Sequence, residues 1–234
     1  MINISAKGFR GNDGFAGQNP PPPAQGLTGG DAIENWYDDD DPARGQDGAR
    51  GGDASWGSDA TAGGNGGSVT IEVNEYRGGI DVDCSGGAGG TGGRGGDGGQ
   101  GGQGGDGGWG ANCEANAYGG RGGDGGNAGR GANGASGGKG GSITLLYKVD
   151  LSGGGQPIFH VEGGVGGVGG LGGIPGRPGE TGRTGRGLFS NYSHSGYDPG
   201  SPPPAALWGQ VGPAGNPGAT GQGGSFDLRK IPAS

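Results

Sequence analysis

The sequence has too few apolar residues for an ordinary hydrophobic core. Only 27% of its 234 residues are hydrophobic and 6% are aromatic, whereas 73 are glycine and 15 are proline. Ordering a glycine backbone costs roughly 1–2 kcal/mol per residue, and burial of so little apolar surface cannot offset that cost. The composition leaves two outcomes, a disordered linker or a fold held together by backbone hydrogen bonds.

Basic residues and long apolar runs are also scarce. The chain has 15 Lys and Arg against 23 Asp and Glu, and this net charge of -8 argues against nucleic-acid binding. No apolar run approaches the ~20 residues that cross a bilayer. Met1 leads into a strand-like segment without the apolar region of a signal peptide. We expect no membrane insertion, and an extracellular or virion-surface location reached by assembly, lysis or a nonclassical route.

Cysteine and histidine are too few for a recognisable metal site or catalytic centre. Cys84 and Cys113 would lie at opposite ends of one arm, too far apart for a disulfide, which needs Cα atoms within about 7 Å. Cys84 ends an alternating apolar stretch and is expected in a core. Neither His160 nor His194 has a cysteine or acid at a spacing that suggests zinc or a catalytic triad. We predict no enzymatic activity, no cofactor and no metal.

Glycine follows a period of three over most of the chain. Between Ser85 and Ser142 most triplets are Gly-Gly-X, with a short interruption at 113–117. This period differs from those of helices and strands and is typical of polyproline II geometry, with about 3.1 Å of rise per residue. An arm of about 28 residues would reach on the order of 80 Å. Because glycine lets backbones approach closely, we expect neighbouring arms to hydrogen-bond to each other.

The chain contains three copies of one pattern. Similar stretches close the return arms at 63–71, 137–145 and 221–228. Short strand-like stretches open the outgoing arms at 2–5, 80–83 and 159–162. Each copy of roughly 75 residues therefore consists of strand, arm, tip, arm and strand. We predict a single domain, 1–234, with repeats at approximately 1–73, 80–151 and 158–231.

The strand-like stretches predict a small core at one end. Val69, Ile71 and Val73 alternate with polar residues, and 143–151 shows the same period of two. The predicted fold class is mostly irregular or polyproline II: a bundle of about six antiparallel polyglycine II helices, with a small β-strand base at one end and loops at the distal tip. A collagen-like triple helix is the alternative for the third pair of arms, where proline fits a Gly-X-Y pattern.

The first outgoing arm is expected at an edge of the bundle, and the third outgoing arm carries an apolar ridge. In the first outgoing arm, Pro20 and Pro23 replace glycine and remove two backbone donors. In the third outgoing arm, an apolar ridge occupies the free position of the triplet: Val165, Val168, Leu171 and Ile174. Free positions point outward, so the ridge must face another arm, another subunit or solvent. We predict contact through the ridge with a second copy of the chain or with another virion or surface protein.

The tips carry most of the informative side chains. Aromatic rings with Asn and Asp neighbours suit recognition of a carbohydrate or a protein loop, since rings supply rigid contact area and polar groups orient the ligand. The candidate ligand-binding residues are Glu34, Asn35, Trp36, Tyr37, Asp38, Trp109, Tyr118, Phe189, Asn191, Tyr192, His194 and Tyr197. The alternative is that these rings only cap the glycine-rich body. The acidic run 38–41 is expected to be solvated.

The triplet arms, from Ala6 to Ser225, resemble two groups of polyglycine II proteins. One is the snow-flea type antifreeze protein, a bundle of short Gly-Gly-X helices with a flat ice-binding face. The other is the tail-fibre adhesin of T-even-like phages, a polyglycine II sandwich whose variable distal loops contact the host receptor. An ice-matched face would need small residues at the free positions, whereas Arg94, Asp97 and Gln100 are long or charged.

The resemblance to the adhesins implies a non-enzymatic extracellular or virion fibre protein. It implies that distal aromatic and acidic loops bind a host-surface receptor or glycan. The first alternative is a purely structural virion or surface filament or decoration protein. The second alternative is an antifreeze protein.

Overall fold

The computed structural model describes residues 2–35, 38–110, 115–186 and 200–232. Its eight β-strands are β1 (Ile2–Ser5), β2 (Ile33–Asn35), β3 (Asp38–Asp40), β4 (Ser68–Tyr76), β5 (Ile80–Asp83), β6 (Ser142–Asp150), β7 (Ile158–His160) and β8 (Ser225–Lys230). Within these ranges there is no helix. The stretches in which apolar residues alternate at period two form the longest strands, β4 and β6, as the sequence predicts.

Equivalent strands of the three repeats pair side by side in the same direction. One sheet has the order β1-β5-β7 and a second has the order β4-β6-β8, and all pairs in both are parallel. Ile71 of β4, for example, is level with Leu145 of β6 and Leu228 of β8. Because each repeat returns the chain to the same end, equivalent strands begin at the same level. An antiparallel pair, β2-β3, lies apart from these two sheets.

The hydrophobic core lies between the two three-stranded sheets. Its buried members are Tyr76, Ile80, Val82, Cys84, Ile143 and Leu145. Most of them belong to or border the central strands β5 and β6, which are covered by a strand on each side. At one flank, the rings of Phe159 and Phe226 lie 5.5 Å apart between β7 and β8. Cys84 is fully buried, and this burial raises the pKa of its thiol, so its predicted core position is confirmed.

Six glycine-rich segments connect the strands to the tips. The outgoing segments are residues 6–30, 84–110 and 161–186, and they follow the strands of the first sheet. The return segments are residues 42–67, 115–141 and 200–224, and they lead into the strands of the second sheet. None of these segments contains a helix or a strand. They form two layers, one of outgoing and one of return segments.

Backbone hydrogen bonds join neighbouring segments at every third residue. Within the outgoing layer, the N–H of Gly14 donates to the carbonyl of Thr91 at 2.8 Å, and the two segments run parallel. Between the layers, the N–H of Gly93 donates to the carbonyl of Ser58 at 3.0 Å, and the segments run antiparallel. The expectation that glycine-rich arms hydrogen-bond to each other is therefore confirmed.

Glycine occupies most of the positions that another segment covers, with a few alanines such as Ala132 also buried there. A Cβ atom on Gly93 would lie 1.9 Å from the carbonyl oxygen of Phe15, and one on Gly125 would lie 2.0 Å from that of Gly176. At the two sides of the molecule, the equivalent positions hold Phe15 and Trp208, whose side chains are exposed. A further segment placed at either side would collide with such side chains. The side chains of Phe15 and Trp208 therefore leave no room for a further segment next to them.

The expected fold class is wrong. The chain was expected to form about six antiparallel polyglycine II helices with one small β base, but it forms a sheet-containing fold built on two three-stranded parallel sheets. The glycine period indicates the geometry of a single arm. It does not fix the direction in which strands pair, because that direction depends on how equivalent strands of different repeats align. The collagen-like alternative is also wrong for the third outgoing segment. Both the hydrogen bonds that this segment donates and those that it accepts go to other segments of the same chain.

Candidate functional site

The first tip forms a β-hairpin at the end of the segments that lies away from the core. In this hairpin β2 and β3 pair antiparallel, with Asn35 opposite Asp38. The predicted residues Trp36 and Tyr37 connect the two strands in sequence and lie outside the described residues. The acidic run 38–41 lies partly in a strand, β3, and its last members Asp40 and Asp41 are exposed, as expected of a solvated run.

The second tip is hydrogen-bonded to the foot of this hairpin. The N–H of Trp109 donates to Oδ1 of Asp31 at 2.9 Å. The N–H of Ala32 donates to the carbonyl of Trp109 at 2.8 Å. The side chain of Trp109 is 57% exposed. These two bonds bring an aromatic residue of the second tip beside the acidic hairpin of the first.

Some of the remaining predicted ligand-binding residues lie within the described part of the chain, and others lie outside it. Glu34, Asn35 and Asp38 lie in the hairpin strands. Tyr118 is partly buried, and its carbonyl accepts a 3.1 Å hydrogen bond from the N–H of Gly45. The residues of the third tip lie outside the described residues: Phe189, Asn191, Tyr192, His194 and Tyr197. A shared binding site for all of the tip residues stays a prediction.

A second arrangement of polar side chains, which was not predicted from the sequence, joins neighbouring segments. Oδ1 of Asp53 accepts the backbone N–H of Asn127 at 2.7 Å, and Oδ1 of Asn127 accepts that of Gln210 at 2.9 Å. We call this arrangement the Asx ladder. Further acceptors of the Asx ladder are Asp13, Asn19, Asp47, Asp97, Asp106 and Asp124. It satisfies the backbone N–H groups that the glycine positions leave unpaired.

Arginine residues hold several carboxylates of the Asx ladder. Nη2 of Arg50 lies 2.6 Å from Oδ1 of Asp53, and Arg121 pairs in the same way with Asp124. The N–H of Asn127 and then the Arg50 guanidinium hold the pKa of Asp53 below its usual value. For Asp124, the hydrogen bond from Arg121 is the largest cause of a lowered pKa. These aspartates therefore stay ionised to a lower pH than an ordinary aspartate does.

Two sequence signals could have revealed the Asx ladder. The first is the spacing between each acceptor and its donor, which is 74 residues for Asp53 and 83 residues for Asn127. The second is a recurring Arg-Gly-x-Asp motif, at 10–13, 44–47, 50–53, 94–97 and 121–124. The sequence predicted that side chains at the free positions of the triplets are exposed to solvent. It did not predict their backbone partners, because these belong to other repeats.

The predicted apolar ridge is exposed on the third outgoing segment. The exposed fractions of Val165, Val168, Leu171 and Ile174 range from 62% to 69%. Trp208 is also exposed, on the third return segment. Contact of this ridge with a second copy or another protein stays a prediction.

Within the described ranges, no group of three His, Cys, Asp or Glu side chains is arranged to hold a metal ion. Nor does the described part of the chain contain a helix long and apolar enough to cross a bilayer. Nε2 of His160 lies 3.6 Å from Asp81 and its Nδ1 lies 4.0 Å from Glu162, near the core end of the fold. This histidine therefore has acidic neighbours that come from its own strand end and from the adjacent strand.

No protein-family model and no curated protein matches the chain. Among solved structures, it is similar to a springtail antifreeze protein from Granisotoma rainieri, described as a bundle of nine polyproline type II helices whose crystal waters match the ice lattice. The identity is 26%, the match covers 69% of this chain and 94% of that chain, and the TM-score is 0.10. So low a TM-score establishes no common fold and carries no functional argument. These comparisons lend no support to the resemblance to phage adhesins.

Proposed function

We propose that this chain is a non-enzymatic attachment protein of an extracellular or virion surface, and that its distal end binds a host receptor or glycan. The observation that carries the proposal is the meeting of two tips, in which Trp109 is hydrogen-bonded to Asp31 and Ala32 at the foot of the acidic hairpin. An exposed ring beside acidic groups can pack against the apolar face of a ligand while the carboxylates accept its hydroxyl hydrogens.

The body of the molecule supports this role because it is suited to presenting a distal site. Hydrogen bonds recur at every third residue along the segments, and polar side chains cross-link them on the outer faces. Such a body holds the tips away from the sheet core. Distance between the attachment point and the binding site is what an adhesin needs from its shaft.

The test is a tip variant that combines Trp36→Ala, Tyr37→Ala and Trp109→Ala. Labelled parent and variant proteins are applied to a glycan array and to intact candidate host cells. We expect at least a tenfold loss of binding by the variant, equivalent to about 1.4 kcal/mol. Equal binding by a folded variant, or no binding by the parent to either surface, would contradict the proposal.

The matched control combines Trp56→Ala and Trp208→Ala. Both side chains are exposed on the body of the molecule, on return segments rather than at a tip. The control therefore removes comparable aromatic surface without touching the proposed site. We expect it to bind as the parent does, and the thermal unfolding of both variants shows whether the body is intact.

The ridge favours a second candidate function, a structural virion or surface filament or decoration protein. Four exposed apolar side chains in one line form a surface suited to contact with a second copy or another surface protein. Sedimentation of the parent and of a Val168→Asp, Leu171→Asp variant tests this role. Association that depends on concentration in the parent and disappears in the variant would favour it.

A further inference from the structure

The backbone hydrogen bonds between the first and second outgoing segments are interrupted at the proline run. On either side of the run, the N–H groups of Gly17 and Gly26 donate to carbonyls of the second outgoing segment at 2.7 and 2.8 Å. At the two intervening positions of the triplet stand Pro20 and Pro23, which have no N–H to donate. The first outgoing segment lies at the side of its layer, as Pro20 and Pro23 predict. The same two prolines also leave a gap between this segment and the second outgoing segment.

The gap leaves backbone groups of the second outgoing segment without partners in the described part of the chain. The carbonyls of Asp97 and Gln100 are those that Pro20 and Pro23 would otherwise meet. The N–H of Asp97 still donates to Oδ1 of Asn19 at 2.7 Å. The equivalent acceptor for the N–H of Gln100 would be residue 22, which is proline and has no side-chain acceptor. Gln100 therefore presents both a free carbonyl and a free N–H.

These groups face a groove of about 630 Å³. Its walls are the proline run 20–23 on one side and the backbone of residues 97–103 on the other, and it reaches Glu180 of the third outgoing segment. Gln25 and Gln103 also line the groove. Its volume falls within the range of about 300–1,000 Å³ that is usual for small-ligand sites.

We infer that this groove binds a carbohydrate. Neighbouring hydroxyls of a sugar can donate to the Gln100 carbonyl and accept from the Gln100 N–H, so that one pair of hydroxyls satisfies both groups. The amides of Gln25 and Gln103 offer further donors and acceptors to the same ring. The proline side chains form an apolar wall against which the C–H face of the ring packs.

The chemistry of the groove argues against other ligands. Asp97 and Glu180 are the charged residues among its lining, so an anionic ligand would meet like charge. A purely apolar ligand would bury the free carbonyls without partners, which is unfavourable. An extended peptide is the competing ligand, but the ordinary bonds at Gly17 and Gly26 close the gap at both ends. A saccharide brings several hydroxyls to this short space, whereas a peptide lying along the segments would have to pass those closures.

The carbohydrate groove is separate from the tips and does not depend on the proposed tip site. It lies on the side of the body, between the middle parts of two outgoing segments. The tip variant should therefore keep its affinity for the saccharides that bind the groove, and the Pro20→Gly, Pro23→Gly variant should keep the binding that the tip variant loses. Failure of either proposal leaves the other open to its own test.

The decisive variant combines Pro20→Gly and Pro23→Gly. The two new N–H groups can donate to the carbonyls of Asp97 and Gln100, so the segments close and the groove is lost. The matched control combines Pro175→Gly and Pro178→Gly. These prolines stand at the same position of the triplet with the same spacing, but on the outer side of the third outgoing segment, which faces no further segment among the described residues.

Binding is measured by saturation-transfer NMR and calorimetry with maltotetraose, cellotetraose, mannotriose and tri-N-acetylchitotriose as probes. We expect at least one probe to bind the parent and the control alike, and its affinity to fall at least tenfold in the Pro20→Gly, Pro23→Gly variant. A Gln25→Ala, Gln103→Ala variant should weaken the same probe at least fivefold, and it decides the matter if the glycine variant does not fold.

Three results would overturn the inference. The first is that none of the four saccharides binds the parent. The second is that the closed-groove variant, or the Gln25→Ala, Gln103→Ala variant if the former does not fold, binds them as well as the parent. The third is that a Gly-Gly-Asn repeat peptide binds the groove more tightly than every saccharide, which would identify it as a peptide site.

Discussion

Oδ1 of Asp53 accepts a 2.7 Å hydrogen bond from the backbone N–H of Asn127, which lies 74 residues further along the chain. Asn127 accepts in turn from Gln210, so one row of side chains crosses all three return segments. Glycine packing brings backbones together but supplies no side-chain contacts of its own. The Asx ladder adds those contacts, and each one is possible only when two segments lie in the correct register.

The ladder predicts that Asp53→Ala is destabilising and that Asp53→Asn is much less so. Alanine removes the acceptor for the N–H of Asn127, whereas asparagine keeps it, as Asn127 itself does for Gln210. Because the site is exposed, the expected loss for alanine is about 0.5–1 kcal/mol of unfolding free energy. Urea unfolding of both variants measures it. Equal losses for the two substitutions would show that charge, not the hydrogen bond, matters at this position.

The ladder also predicts a loss of stability in acid. Hydrogen bonds from backbone N–H groups and arginines lower the carboxyl pKa of Asp13, Asp53, Asp97 and Asp124 from the ordinary value of 3.8. Because their pKa values are lower in the folded state, these groups stabilise it above pH 3.8. That stability is lost as the pH falls through the folded-state pKa values.

The contribution of these four groups to the unfolding free energy should therefore be fully present and nearly constant between about pH 5.5 and 7, and it should decline below about pH 4. A variant with all four aspartates changed to asparagine provides the control. Its decline in acid should be shallower, because its acceptors do not titrate. An identical decline in both proteins would assign the acid sensitivity to other carboxylates.

A single methyl group at a covered glycine should strongly destabilise the fold. In Gly93→Ala the new Cβ would lie 1.9 Å from the carbonyl oxygen of Phe15, and backbone must move to relieve the overlap. We expect a loss of about 3 kcal/mol or more. In the control, Gly223→Ala, the nearest atom to the new Cβ is the Val161 carbonyl oxygen at 3.8 Å, so its thermal midpoint should match the parent.

The core between the sheets should respond to truncation as an ordinary hydrophobic core does. Leu145 is fully buried, and Leu145→Ala should cost about 2–5 kcal/mol of unfolding free energy. Leu171 belongs to the exposed ridge, and Leu171→Ala should change stability by no more than about 0.5 kcal/mol. Chemical denaturation compares the two. A large effect at Leu171 would mean that the ridge is covered in solution, as contact with a second copy would require.

The tips show how much of the candidate site was predictable. Aromatic and acidic residues mark the ends of the repeats in the sequence, and the spacing of the arms predicts that such residues lie away from the core. The hydrogen bond between Trp109 and Asp31 was not predictable, since it joins residues 78 positions apart in two different repeats. The groove at Pro20 and Pro23 was only partly predictable. The prolines in the sequence show that two backbone donors are missing, but the carbonyls that consequently lack partners belong to another segment.

The sequence by itself determined where backbones can approach, through its glycine triplets, and where strands form, through apolar alternation at residues such as Val69 and Ile71. It also determined that the pattern occurs three times. Only the tertiary structure decided that equivalent strands pair in parallel as two facing sheets, and which carboxylate meets which N–H. Periods and propensities act along a few neighbouring residues, whereas these pairings depend on how repeats more than 70 residues apart come to lie level, as Asp53 and Asn127 do.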